Sequence, residues 1–415
     1  MNFDPEERKR QRQERARKRA EAQAKRKKLF FRVAAAVVIL AVCGILIVTL
    51  ADKKTQTDPS DMTVTEETQP PVSVVHFVAG GDLNVNDAVV SAGDNNYDYT
   101  QTFMDVAPLL AQGDLTTLNF EGGLYGVPYG NINASAPVSL VQALRRAGVD
   151  MLQLANSYSV HRGMSGLTDT INAVRGAGIE PLGVYEDQNA RRQGRGYTIR
   201  TVNGVEIALV AFTKGMGGTR LPSGSEGCVN VLYTDYDSTY QEVDTETITS
   251  VLTAVKNEKP DITIALLHWG SEFNDTVSES QEKIVKLLQE NGVNAIIGTH
   301  SHYVQKMVFD EEKGTFVAYC LGDFFGDAQR SGSEYSVVLD LEITKDLRSG
   351  IAAITGYSYT PIFTVAEKNK PLRVLRIHEA MDAYEQGYVD RVSPETYAAM
   401  QYALGRIESR ISGNG

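Results

Sequence analysis

From residue 73 onward the chain alternates short β-branched apolar runs with longer stretches whose apolar residues recur at helical spacing. Residues 74–79, 115–120, 151–155, 262–267 and 295–297 predict buried strands. Residues 137–147, 166–177 and 278–291 predict helices. In the last of these Ile284, Val285, Leu287 and Leu288 form one face, and Gly292 stops the helix. Residues 197–202 and 205–212 are joined by Asn203-Gly204, which predicts a hairpin with a type I′ turn. Residues 316–321 and 335–343 add further strands. Residues 376–388 and 394–411 are helical in pattern, with Ser393 as N-cap and Pro394 at the first helical position. Strands interleaved with helices and hairpins predict an α/β class fold, a layered sandwich with mixed sheets over residues 73–365. A short helical element over residues 366–415 is expected to pack on it.

The pattern before residue 73 is different. Residues 29–50 read LFFRVAAAVVILAVCGILIVTL, and residues 33–51 form a run of 19 without a charge. About 20 such residues span a bilayer core as a helix. One transmembrane helix over 29–50 is therefore expected, after a basic arm (1–28) and before a polar linker rich in Thr, Asp and Pro (51–72). The apolar run is longer than a signal-peptide core and lacks an A-x-A site after it, so a retained anchor is expected.

Charge orients the anchor. Residues 1–32 hold 13 Lys or Arg against 5 Asp or Glu, a net +8; the whole chain carries −11, leaving −19 on the remainder. The positive-inside rule puts the arm in the cytoplasm and everything after residue 51 outside it. The arm reads as a topology signal that touches anionic lipid rather than as a nucleic-acid site. The three cysteines, Cys43, Cys228 and Cys320, are too few and too scattered for a disulfide framework.

The chemistry lies where the strands run out. Gly80-Gly81-Asp82 follows the first, Asn119-Phe120-Glu121 closes the second, and Asn156 follows the third. His268-Trp269-Gly270-Ser271-Glu272 follows the fourth, and Gly298-Thr299-His300-Ser301-His302 the fifth. Sites in α/β sheets form outside the carboxyl ends of strands. A lone histidine after a strand is more often a hydrogen-bonded core residue than a ligand. Five such ends together reverse that reading and predict a metal site. The chain has only six histidines, and three of them are here. Imidazole with carboxylate and amide oxygen is a borderline donor set, suited to Mn, Fe or Zn rather than Ca.

These residues carry a resemblance. The stretches FVAGGD (77–82), LNFEG (118–122), LAN (154–156), HWGSEF through NGVNAIIGTHSHYVQ (268–305) and AYCLGDF (318–324) resemble the CapA family of capsule and poly-γ-glutamate synthesis proteins. That family in turn resembles the calcineurin-like metallophosphoesterases. The resemblance implies two divalent metals, with Asp82, Glu121 and His302 around one and Asn156, His268 and His300 around the other, Glu121 bridging. Asn119 and Glu272 are additional candidates.

The pattern also departs from the family. Members commonly read Asn-Asn-His after the third strand, the His protonating the leaving group. Here the segment is Asn156-Ser157-Tyr158, and a tyrosine, with an unperturbed pKa near 10, is a poor acid at neutral pH. His161, three residues on, is the candidate substitute. Asn84 stands where phosphoesterases carry a metal histidine. Asp323 stands where the family usually has Asn, and it would either take a metal or repel an anionic substrate.

Two functions follow from the resemblance. One is a membrane-anchored hydrolase of phosphoester or amide bonds in capsule or poly-γ-glutamate synthesis and export. The other is a catalytically weak, metal-binding accessory protein of the cell envelope. The expected partners are the membrane, an extracellular polymer and other polymer-synthesis membrane proteins, with no nucleic acid. The −19 remainder argues against broad electrostatic capture of a polyanion, so an anionic polymer would need the metals or a local basic patch such as Arg191-Arg192.

Overall fold

The computed structural model describes residues 71–328, 330–367, 370–388 and 392–413. The basic arm, the expected membrane helix and nearly all of the linker lie outside the described residues. Among the described residues no helix is long and apolar enough to cross a membrane.

The described chain forms β1 (Val72–Asn84), β2 (Leu115–Glu121), β3 (Met151–Gln153), β4 (Glu180–Leu182), β5 (Tyr197–Val202), β6 (Val205–Thr213), β7 (Ile262–His268), β8 (Ala295–Thr299), β9 (Met307–Asp310), β10 (Thr315–Ala318), β11 (Asp323–Phe325), β12 (Tyr335–Asp346), β13 (Ala352–Val365) and β14 (Arg373–Arg376). One sheet has the order β14-β13-β12-β1-β2-β3-β4, with β11 also pairing β1; the other has the order β5-β6-β7-β8-β10-β9. Both are mixed. β1 runs parallel to β2 and antiparallel to β12, and β6, β7, β8 and β10 form a parallel set with antiparallel neighbours at each edge.

The side-chain period of two explains why the strand runs are apolar on both faces. In β6, Ile207, Leu209 and Ala211 enter the core between the sheets, and Ala208, Val210 and Phe212 enter the core under the outer helices. In β1, Phe77 and Ala79 face inward and Val78 faces the helices on the other side. Helices Val138–Ala147 and Gly163–Gly176 cover the first sheet, and Thr245–Glu258 and Glu279–Glu290 the second. The result is a layered α/β sandwich with mixed sheets, as the alternation predicted, and its layers run helix–sheet–sheet–helix.

Local signals hold in detail. Asn203 and Gly204 have φ of 50° and 76°, the paired left-handed conformation of a type I′ turn. Ser278 caps its helix in a reciprocal capping box with Gln281, and Ser393 accepts from Thr396 N with Pro394 next to it. In the C-terminal element Ile377, Met400, Ala403, Ile407 and Ile411 join the inner core. That element also supplies β14, an edge strand paired with β13 that the helical pattern did not reveal.

Candidate metal centre

The carboxyl ends of β1 and β2 in one sheet meet those of β7 and β8 in the other. Asp82 lies near the end of β1, Glu121 closes β2, His268 closes β7, and His300 and His302 follow β8. Direct contacts cross between the sheets. His268 Nε2 is 2.7 Å from Glu121 Oε1, and the His300 backbone N–H donates to Asp82 Oδ2 at 2.8 Å. Asp82, Glu121, His268, His300 and His302 are all buried. Burying that many ionisable groups costs free energy unless something pairs them.

Two groupings result. Donor atoms of Glu121, His268 and His300 lie within 4.8 Å of one another, as do those of Asp82, His302 and Asp323. Glu272, which is exposed, makes a third such group with His300 and His302. Asp323 thus joins the cluster, because β11 runs parallel to β1 with Asp323 opposite Asp82, and its Oδ1 meets His302 Nδ1 at 2.8 Å. Asn84 ends β1, two residues beyond Asp82.

The amides lie behind the carboxylates. Asn119 Nδ2 donates to Asp82 Oδ1 (2.6 Å) and Glu121 Oε1 (3.2 Å), fixing both. Asn156 Nδ2 donates to Phe120 O (2.7 Å) and Asn119 Oδ1 (3.1 Å), and its Oδ1 accepts from Tyr158 N. Asn156 Oδ1 therefore keeps one lone pair for a further partner. Tyr158 is half-buried; burial, Glu121 and Glu272 all push its hydroxyl pKa up. His161 is exposed, its ring 5.9 Å from that of Tyr158.

The donor set fits a cation on two observations. The Thr213 hydroxyl donates to Gly215 O, so its oxygen accepts from His268 Nδ1–H at 2.9 Å. That fixes the tautomer with the Nε2 lone pair toward Glu121. Two acceptors then face each other at 2.7 Å, an arrangement that needs a proton on Glu121 or a cation. His300 Nδ1 is the second case: it is buried, with no partner among the described residues. His300 and His302 also hold φ of 85° and 59°, and a non-glycine residue in left-handed backbone costs about 1–3 kcal/mol, a strain that clusters at functional sites.

Electrostatics follow from the burial. Burial and the neighbouring Glu121 raise Asp82 to about 7. Burial raises Glu121 to about 7, Asp323 and Glu272 adding to it against His302. Burial lowers His268 to about 3 and takes His300 well below its ordinary value, so both rings are neutral, as ligands must be. For His302 burial acts downward, but Asp323, Glu121 and Asp82 outweigh it and hold it up at about 10. A divalent ion must displace the protons held by the carboxylates and by His302. Metal affinity is accordingly expected to rise between pH 6 and 8, by about tenfold per pH unit for each proton displaced. Calorimetry in buffers of different ionisation heat checks this; a pH-independent affinity without proton release would refute it.

Sequence reasoning missed Thr213 and Phe273. Thr213 ends β6, a sixth strand end with polar residues after it, which was the signal to follow. Phe273 stacks on His302 with ring centroids 4.8 Å apart, and the Arg330 guanidinium lies over the same ring, 3.8 Å from its centroid.

The family described as bacterial capsule synthesis protein PGA_cap matches residues 76–328. The chain is 26% identical over 294 residues to the capsule biosynthesis protein CapA of Bacillus anthracis, covering 68% of each chain. It is 23% identical over 259 residues to the PGA biosynthesis protein CapA of Bacillus subtilis, covering 59% of this chain and 61% of that one. Among solved structures it is similar to the calcineurin-like phosphoesterase YfkN from Bacillus subtilis, with 16% identity, a TM-score of 0.44, and coverage of 80% of this chain and 100% of that one.

Proposed function

The chain belongs to the bacterial capsule synthesis protein family PGA_cap, and from that premise we propose a membrane-anchored, extracytoplasmic protein of capsule or poly-γ-glutamate-type polymer synthesis and export. Its centre holds two divalent ions, and its chemistry is slow hydrolysis of a phosphoester or amide bond in the polymer. One observation carries the reading: the carboxylates and neutral imidazoles of Asp82, Glu121, His268 and His300 converge from two sheets, with His300 Nδ1 buried and unpartnered among the described residues. Bound ions would supply Lewis-acid polarisation and an activated water. The residues of this chain position them: Asn119 orients two carboxylates, Thr213 sets the His268 tautomer, and Asp323 holds His302.

A second reading, a metal-binding accessory protein without turnover, is favoured by Tyr158. Its hydroxyl is shifted upward, away from the range of a working acid. The full chain, assayed for metal content and for hydrolysis of generic phosphodiesters and γ-glutamyl peptides, tests both. Metal below stoichiometric level would sink either reading. Tyr158→His is expected to raise hydrolysis about tenfold, short of the 10²–10⁴ of an evolved acid. Metal without turnover in both wild type and variant selects the accessory role.

A further inference from the structure

Beside the metal centre, a cleft of about 290 Å³ opens at His300. Lys214, Gly217, Tyr240, Ser157 and Glu272 share its lining with His300. The ligand set uses neither Lys214 nor the glycine-rich loop that follows it, Gly215-Met216-Gly217-Gly218.

Lys214 is the single cation lining this cleft among the described residues. It is half-buried and held in place: its Nζ donates to Gly270 O at 2.6 Å and lies 4.7 Å from the centre of the Tyr240 ring. Among the described residues it makes no ion pair. An ammonium group has three donors, and one is spent on Gly270. The remaining two, with a full charge, are available beside a centre that is otherwise rich in carboxylates.

The loop points the same way. Gly217 and Gly218 have φ of 59° and 77°. Thr219 N–H donates to Met216 O at 3.0 Å across this pair, and the backbone N–H groups of such a turn can gather into a concavity that suits anions. The N–H groups of Met216, Gly217 and Gly218 donate to no described residue. Packing does not require glycine at 217, where a Cβ would come no closer than 3.7 Å to Ser157 O. The backbone conformation does.

We propose that Lys214 and the glycine loop form an oxyanion subsite, which takes a carboxylate or phosphate group of a ligand whose neighbouring bond lies at the metal centre. The subsite stands on its own observations; only what lies beside it rests on the metal-centre reading. An anionic polymer would be recognised here, one anionic group at a time, rather than by the general surface field.

The test titrates inorganic phosphate and, separately, glutarate into the full chain, both loaded with Mn²⁺ and stripped of metal. At least one probe is expected to bind, more weakly at high salt. Lys214→Gln keeps a donor for Gly270 O and removes the charge; it should weaken binding about tenfold, with Mn²⁺ stoichiometry and thermal midpoint unchanged. Lys214→Arg should retain most of it. Gly217→Ala, strained at its φ but sterically open, should weaken binding several-fold and serves if Lys214→Gln does not fold. Phosphate alone would identify a phosphoryl ligand and glutarate alone a carboxylate. Wild-type binding in both Lys214→Gln and Gly217→Ala, or no binding of either probe to wild type, overturns the subsite even where Mn²⁺ loads normally. Lys214-dependent binding in a chain that takes no Mn²⁺ leaves the subsite standing and removes the metal-centre reading.

Discussion

His268→Ala is expected to lower divalent-metal affinity by on the order of 10²-fold or more. Loss of a group that merely orients a ligand typically costs 10–100-fold, and His268 is placed as the ligand itself. Its ring is fully buried, its Nδ1–H is fixed on Thr213 Oγ1, and its Nε2 faces Glu121. Truncation removes one donor and also leaves the buried Glu121 without its 2.7 Å partner. Thr213→Val separates ligation from orientation: it keeps the ring but frees the tautomer, so a loss of about tenfold is expected. His161→Ala, at an exposed position, should leave affinity unchanged. Metal titration of the three variants decides the matter; wild-type affinity in His268→Ala would remove that residue from the centre.

The parts of this site legible in sequence were those set by local chemistry. Asp82, Glu121, His268, His300 and His302 stand at or just beyond the ends of apolar runs that are strands for local reasons, and the parallel arrangement of those strands gathers their ends. What sequence left open depends on register between distant segments. Asp323 read as either a metal ligand or a repulsive charge. Its place was decided by β11, three residues long, pairing with β1 in parallel register. A run that short carries no periodicity of its own. β4 was missed for the same reason, and it contains Pro181. Thr213 and Lys214 were legible in principle, but reading 205–212 as one arm of a hairpin drew attention to its turn rather than to its far end. The membrane helix rests on composition and length, and it lies outside the described residues.

Gly81→Ala is expected to destabilise the fold by about 3–4 kcal/mol, a large share of the 5–15 kcal/mol that holds an ordinary domain together. The reason is contact between main chains. A Cβ at Gly81 would lie 1.7 Å from the carbonyl oxygen of Gly322 and 2.8 Å from its carbon. No side-chain rotation relieves that, so β1 must move away from the segment leading into β11. The same movement stretches the bond from Asp82 N to Gly322 O, now 3.0 Å, and a lost buried hydrogen bond adds about 1 kcal/mol to the overpacking cost. It also separates Asp82 from Asp323, its partner across the strand pair, so metal affinity should fall with stability. Gly80→Ala provides the contrast. There the nearest atom is Leu118 Cδ2 at 2.3 Å, the end of a side chain that can rotate, and a cost of about 1–2 kcal/mol is expected. Denaturant titration of both variants reads the difference as a shift in midpoint at constant slope. Equal midpoints for the two would mean that the chain at Gly322 yields easily, and that the β1–β11 pairing does not fix the spacing of the two carboxylates.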